Sequence, residues 1–153
     1  MKFRLILFTV FSFLVFSFFS TAQARMMCVK SENVRLRSGP GDTYSIKWEY
    51  GKGFPLKIIT SKKGWYKVSD FERDTGWIRR DLLSTTPHMV VKVNKNKKKK
   101  INIRSGPGTR FRTVGKAYYG VVFKTLEQKK GWTKVRHESG IVGWIKRSLL
   151  WGF

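Results

Sequence analysis

Arg37-Ser38-Gly39-Pro40-Gly41 returns as Arg104-Ser105-Gly106-Pro107-Gly108, an offset of 67 residues (37 to 104). The same offset, with no gap, pairs Lys62-Lys63-Gly64-Trp65 with Lys129-Lys130-Gly131-Trp132. It also pairs Gly76-Trp77-Ile78 with Gly143-Trp144-Ile145, and Leu82-Leu83 with Leu149-Leu150. A repeat of about sixty residues is large enough to bury its own small core, so the period points to two similar domains rather than a solenoid.

Each unit carries short runs of β character separated by turn residues. Val34-Arg35-Leu36-Arg37 alternates apolar and charged side chains and stops at the Ser-Gly-Pro-Gly corner, and Ile101-Asn102-Ile103-Arg104 repeats the design. At that corner glycine is expected to take a positive φ and proline to preset the turn. Gly53 to Ile59 and Gly120 to Leu126 read as central strands. Lys-Lys-Gly then reverses the chain, and Trp65 to Val68 and Trp132 to Val135 form the return arms of hairpins. With no helical periodicity beyond one or two turns, the pattern predicts an all-β chain of two tandem, small, antiparallel barrels.

The order N-[VI]-R-SGPG, KKGW-x-K-V, GWI-x-R-x-LL, present twice, resembles the bacterial SH3 domain family. The resemblance implies SH3-like barrels of five or six strands, usually found as a non-catalytic targeting module on exported proteins that act at the bacterial cell wall. In SH3 domains that bind proline-rich peptides, the segment after the glycine-apolar pair supplies a proline and a tyrosine. Arg79 and Leu82 stand there in one copy, Lys146 and Leu149 in the other, which disfavours proline-peptide recognition.

The chain begins as an export signal does. Lys2 and Arg4 precede an apolar stretch from Leu5 to Phe19, and Ala22-Gln23-Ala24 fits a small-x-small cleavage pattern. An uncleaved anchor is the alternative, but the stretch falls short of the roughly 20 residues that span a bilayer. The domain reading is residues 1–24 signal peptide, 26–84 first barrel, 85–88 linker and 89–153 second barrel, the last with a basic loop at 94–100. The first strands are expected at Met27-Cys28-Val29 and at Val90 to Val93. No transmembrane segment is expected in the mature chain, and the short linker suggests that the barrels lie close together.

Formal net charge is +23, and loss of Lys2 and Arg4 with the signal leaves +21. Such a field concentrates a protein at anionic surfaces. Peptidoglycan or another anionic envelope polymer is the expected partner, with an envelope protein as a further option; nucleic acid is disfavoured by the export signal. Lys95, Lys97, Lys98, Lys99 and Lys100 are the candidates for contact with an anionic surface.

Ligand-binding candidates come from repeat-equivalent positions: Arg37 with Arg104, Tyr44 with Phe111, Trp65 with Trp132, Trp77 with Trp144. Indoles partly on the surface can stack on sugar rings, or they can cap a small core. The arginines can grip a carboxylate in two-pronged fashion, or tie down a carbonyl within the turn. Tyr44 and Phe111 are placed to form a groove with the tryptophans.

No catalytic residue, metal site or cofactor is expected. His88 and His137 lack repeat-equivalent partners, and Asp70, Glu72 and Asp74 cluster in a variable turn. Cys28, the single cysteine, reads as an idle thiol. The function expected is therefore that of an exported, non-catalytic, non-enzymatic protein in the periplasm or outside the cell, targeting the envelope through its barrels. The alternatives are a protein-protein adaptor or virulence-type interaction protein, or a basic protein binding anionic lipid or nucleic acid.

Overall fold

The computed structural model describes residues 25–96 and 98–153. The expected signal peptide and its cleavage point, and Lys97, lie outside the described residues.

The chain is all-β. The first unit runs β1 (Met26–Val29), β2 (Val34–Arg37), β3 (Ile46–Tyr50), β4 (Pro55–Lys62), β5 (Trp65–Ser69), β6 (Thr75–Arg79) and a short β7 (Leu83–Ser84). The second runs β8 (His88–Val91), β9 (Ile101–Arg104), β10 (Thr113–Ala117), β11 (Val122–Lys129), β12 (Trp132–Arg136), β13 (Val142–Lys146) and β14 (Leu150–Gly152). Each forms one seven-stranded antiparallel sheet, in the orders β3-β2-β6-β5-β4-β1-β7 and β10-β9-β13-β12-β11-β8-β14. The expected five or six strands become seven because a single 3-10 turn, Arg80–Leu82 or Arg147–Leu149, folds a short final strand back onto β1 or β8.

Alternation decides what is buried. Val34 and Leu36 of β2 point inward while Arg35 faces solvent, and β9 repeats this with Ile101, Ile103 and Asn102. Tyr66 and Val68 of β5 enter a core with Leu36, Leu56 and Ile78; Phe123, Val135, Ile145 and Leu150 anchor the other. Lys62 pairs with Trp65, so Lys63 and Gly64 form a two-residue hairpin loop with φ of 45° and 81°. Lys130 and Gly131 reproduce it at 47° and 78°. Two consecutive positive φ values mark the primed turn whose twist matches the flanking strands.

The Ser-Gly-Pro-Gly corner works differently from expectation. None of Gly39, Gly41, Gly106 and Gly108 is among the positive-φ residues. Instead, the Tyr44 ring lies where a Cβ on Gly39 would project, and the Phe111 ring does the same over Gly106. Glycine is needed there for close approach of an aromatic ring, not for backbone freedom.

The first strand of the second barrel also departs from expectation. It starts at His88, a residue assigned to the linker, and ends at Val91 rather than Val93. Val90 and Met89 pair with Val122 and Phe123, which sets this register. The basic insertion consequently spans 92–100, against 30–33 in the first barrel.

The barrels pack against each other, as the short connection suggested. Phe71, in the β5–β6 loop, lies 5.4 Å from Tyr119 and 6.2 Å from Trp151 between ring centroids, and 6.0 Å from Phe54, which stacks on Tyr50 at 4.6 Å. Lys95 of the basic loop reaches across to Glu72 at 2.9 Å. Asp70 holds the Phe71 loop in place: its carboxylate accepts from Tyr50 Oη and from the backbone N–H groups of Glu72 and Asp74, each at 2.9 Å. The carboxylate of the variable turn thus has a structural task.

Candidate functional site

A groove of about 280 Å³ opens on the first barrel. Arg37 stands on its wall at the end of β2, with Arg35 two residues before it and Arg79 at the end of β6. Trp65 supplies the apolar surface and Leu82, from the 3-10 turn, adds to it. The β5–β6 pairing brings the indole here by setting Trp65 opposite Arg79.

All three guanidinium groups are already engaged with carboxylates: Arg35 with Glu49 at 3.1 Å, Arg37 with Asp42 at 3.6 Å and Arg79 with Asp81 at 2.8 Å. Arg79 grips Asp81 with two N–H donors, and this hydrogen bonding holds the Asp81 carboxyl below the usual carboxylate range. The Arg35 and Arg79 pairs are exposed, and such pairs contribute little to stability and exchange readily. An incoming carboxylate can therefore replace a protein carboxylate at nearly constant charge pairing.

The groove unites only part of the candidate set. Arg37 and Trp65 share it, whereas Tyr44 and Trp77 are absent from its lining. No ring pair joins Tyr44 to Trp65, or Phe111 to Trp132, among the described residues. Trp65 and Trp144 are buried, at 9% and 8% exposure, so these indoles offer a ligand at most an edge. Trp77 and Trp132 are half-buried.

The arginines carry out the turn-fixing role that the sequence left open. Arg37 donates to the carbonyl of Tyr44 at 2.8 Å, and Arg104 to those of Thr109 and Phe111 at 2.8 and 2.9 Å. Each pulls the aromatic residue back over its glycine. In the basic loop, Lys95 is held by Glu72, and Lys100 lies over the Tyr118 ring at 4.5 Å. Lys98 and Lys99 are exposed.

Trp48 escaped the sequence reading. It is 63% exposed, on edge strand β3, with Ile46 beside it at 47%. Restricting candidates to repeat-equivalent positions hid it, since Gly115 occupies its place in the second barrel. The signal available was the alternation Ile46-Lys47-Trp48-Glu49-Tyr50.

Cys28 is fully buried between the barrels, where its sulfur takes the backbone N–H of His88; burial pushes its pKa up from 9.0 to about 12. A thiol in that state is not a nucleophile at neutral pH. Alkylating reagents are expected to leave native protein unlabelled and to modify Cys28 completely in denaturant, read by mass spectrometry. Because the folded state favours the neutral thiol, the stability linked to it is whole below pH 9 and is lost as pH climbs toward 12.

Family models described as bacterial SH3 domain match residues 30–85 and 99–150. The chain belongs to the bacterial SH3 domain family and carries two such domains in tandem.

Among curated proteins it is similar to the "Putative N-acetylmuramoyl-L-alanine amidase YrvJ" of Bacillus subtilis (strain 168), 27% identical over 146 residues. That alignment covers 92% of this chain and 28% of the relative, so the chain spans under a third of the relative's length. Among solved structures, NlpC1 from Trichomonas vaginalis aligns with a TM-score of 0.37 at 17% identity, covering 86% of this chain and 46% of that one. An NlpC/P60 family protein from Bacillus cereus aligns with a TM-score of 0.37 at 11% identity, covering 84% and 56%.

One expectation is corrected here. The sequence was read as that of a non-catalytic envelope-binding protein and not an enzyme; the relative aligned along nearly the whole chain bears the name of an N-acetylmuramoyl-L-alanine amidase. The error came from judging the activity of a protein by the chemistry of its two barrels. No helix among the described residues is long and apolar enough to cross a membrane.

Proposed function

We propose that the chain serves peptidoglycan hydrolysis, as the part of a wall hydrolase that seats the polymer. The alignment with an amidase-named relative over 146 residues carries this reading. The groove supports it: Arg35, Arg37 and Arg79 around an indole edge suit a polymer that bears carboxylated peptide. The substrate is peptidoglycan, and the place of action is the exported space, periplasmic or extracellular.

Within this reading Arg37 and the edge of Trp65 act in the groove of the first barrel, the half-buried Trp77 and Trp132 add contact outside it, and Arg104 and the buried Trp144 hold the equivalent positions of the second barrel in shape. Tyr44 and Phe111 shape the corners, and Lys95 and Lys97 to Lys100 draw the protein to anionic wall. The exposed lysines act at long range and weaken with salt; the groove acts at contact.

Co-sedimentation with purified sacculi across a sodium chloride series tests the proposal. Wild-type protein is expected to pellet at low salt and to retain part of its binding above roughly 0.5 M, where the Debye length is only a few ångströms. Arg79→Gln combined with Arg35→Gln is expected to lower the high-salt fraction several-fold without shifting the melting temperature. Failure to pellet at every salt concentration overturns the reading.

A further inference from the structure

Trp48 is the most exposed large apolar residue among those described, and it stands on β3, the edge strand of the first sheet. A single exposed apolar side chain is ordinary. What sets this one apart is its counterpart: Trp48 lies opposite Leu36, and in the second barrel Gly115 of edge strand β10 lies opposite the equivalent Ile103. One barrel projects an indole where the other has no side chain.

The fold does not demand that glycine. Gly115 is not among the positive-φ residues, and the shift of register beside it recurs beside Trp48, where the chain accommodates the largest side chain. A Cβ on Gly115 would meet Ile103 Cδ1 and Ile141 Cγ2, each at 3.4 Å, which is ordinary contact. The half-exposed Gly115 is therefore the floor of a shallow apolar notch, walled by two isoleucines.

The walls change with the floor. Ile141 and Val142, each 39% exposed, correspond to Asp74 and Thr75 of the first barrel. There the polar pair is engaged locally: the Asp74 N–H donates to the Asp70 carboxylate, and Lys47 Nζ donates to the Thr75 carbonyl. So apolar surface projects from β3 in one copy and lines a recess beside β10 in the other. At 63% exposure, Trp48 does not fill the notch of its own chain.

Charge points to the occupant. Of the nine acidic residues, all but Glu127 and Glu138 lie in the first barrel, which leaves the second far more basic. Locally, the exposed Glu49 follows Trp48 and the exposed Lys116 follows Gly115. First barrel against second is thus the least repulsive way for two copies to meet, and it is the arrangement that joins projection to notch.

We propose that the Gly115 notch receives Trp48 of a second copy of this chain. Each copy carries one projection and one notch, so a pair related by a twofold axis makes the contact twice. A tryptophan packed on aliphatic walls is the anchor of such an interface. The association goes beyond the wall-seating reading and does not depend on it, because neither Trp48 nor Gly115 lines the groove.

Sedimentation equilibrium tests this on protein from Arg25 onward, so that the apolar stretch Leu5 to Phe19 cannot itself drive association. Wild type is expected to rise above monomer mass with concentration, and to do so more strongly as sodium chloride is raised, since salt screens the repulsion between two basic chains. Trp48→Ala removes the projection and Gly115→Leu fills the notch. Each is expected to weaken self-association about tenfold or more at unchanged melting temperature. Ile141→Asp, which installs the residue of the first copy, is expected to match Gly115→Leu.

The deciding arm mixes Trp48→Ala with Gly115→Leu. One keeps only its notch and the other only its projection, so the equimolar mixture is expected to form a mixed pair although neither variant pairs alone. A mixture that stays monomeric overturns the proposal. So does Gly115→Leu associating like wild type, which would mean that Trp48 meets another surface. Wild type that is monomeric at every salt concentration, while Trp48→Ala lowers its pelleting with sacculi, assigns the indole to the wall polymer and overturns it too.

Discussion

Gly143→Ala is expected to unfold the second barrel, lowering its stability by about 3 kcal/mol or more. A Cβ there would stand 2.6 Å from Ile103 Cγ2, 2.7 Å from the Arg104 carbonyl oxygen and 3.0 Å from Val114 Cγ2. A side chain can rotate away, but the Arg104 carbonyl belongs to β9, whose end is locked by its own guanidinium. For a domain of about sixty residues this corresponds to a drop of roughly 12 °C or more in melting temperature. Gly76→Ala makes the same collision in the first barrel, with Leu36 and the Arg37 carbonyl.

Gly131→Ala is the control: a Cβ there meets nothing within 4 Å, so only the strain of a residue at φ 78° remains, about 1–2 kcal/mol. Calorimetry separates the two cases. A Gly143→Ala protein that melts no lower than Gly131→Ala would mean that β13 does not cross β9 as closely as described.

Asp70→Ala is expected to cost about 2–4 kcal/mol and to uncouple the barrels. One carboxylate satisfies the Tyr50 hydroxyl and the N–H groups of Glu72 and Asp74. Without it, three donors lose their acceptor and the loop that presents Phe71 to Tyr119 and Trp151 loses its brace. A single melting transition should become two. Tyr50→Phe removes only one of the three bonds and is expected to cost about 1 kcal/mol.

The same pair has an alkaline signature. Burial first, and then the Asp70 charge, push the Tyr50 phenol above its ordinary value, so the fold favours the neutral phenol. Its contribution is complete below about pH 10 and is lost as pH rises beyond that. Tyr50→Phe should flatten the fall in stability above pH 10 measured by urea titration. A fall identical to wild type would show that another group drives it.

Much of the architecture was readable because the two copies check each other. A hairpin inferred from Lys63-Gly64 is confirmed by Lys130-Gly131, and alternation in β2 by alternation in β9. Where the copies diverge, that check fails. The start of β8 was misplaced because the register of Met89 and Val90 is set by pairing with Val122 and Phe123, a contact distant in sequence. The glycines of the Ser-Gly-Pro-Gly corner were given the wrong reason, since close approach of the Tyr44 ring leaves no local trace.

The site was legible only in part, for the same cause. Arg37 and Trp65 do share a groove, but the indole's depth depends on the packing around it, and Trp48 was invisible to a search by repetition.

The aromatic run from Tyr50 through Phe54 and Phe71 to Trp151 has a consequence for how the molecule measures its target. Packing, rather than the slack of a tether, sets the distance from one arginine-locked corner to the other. Under the proposed wall-seating function the molecule is a calliper: a strand whose period matches the gap would engage both jaws at once, and one out of step would gain nothing from the second.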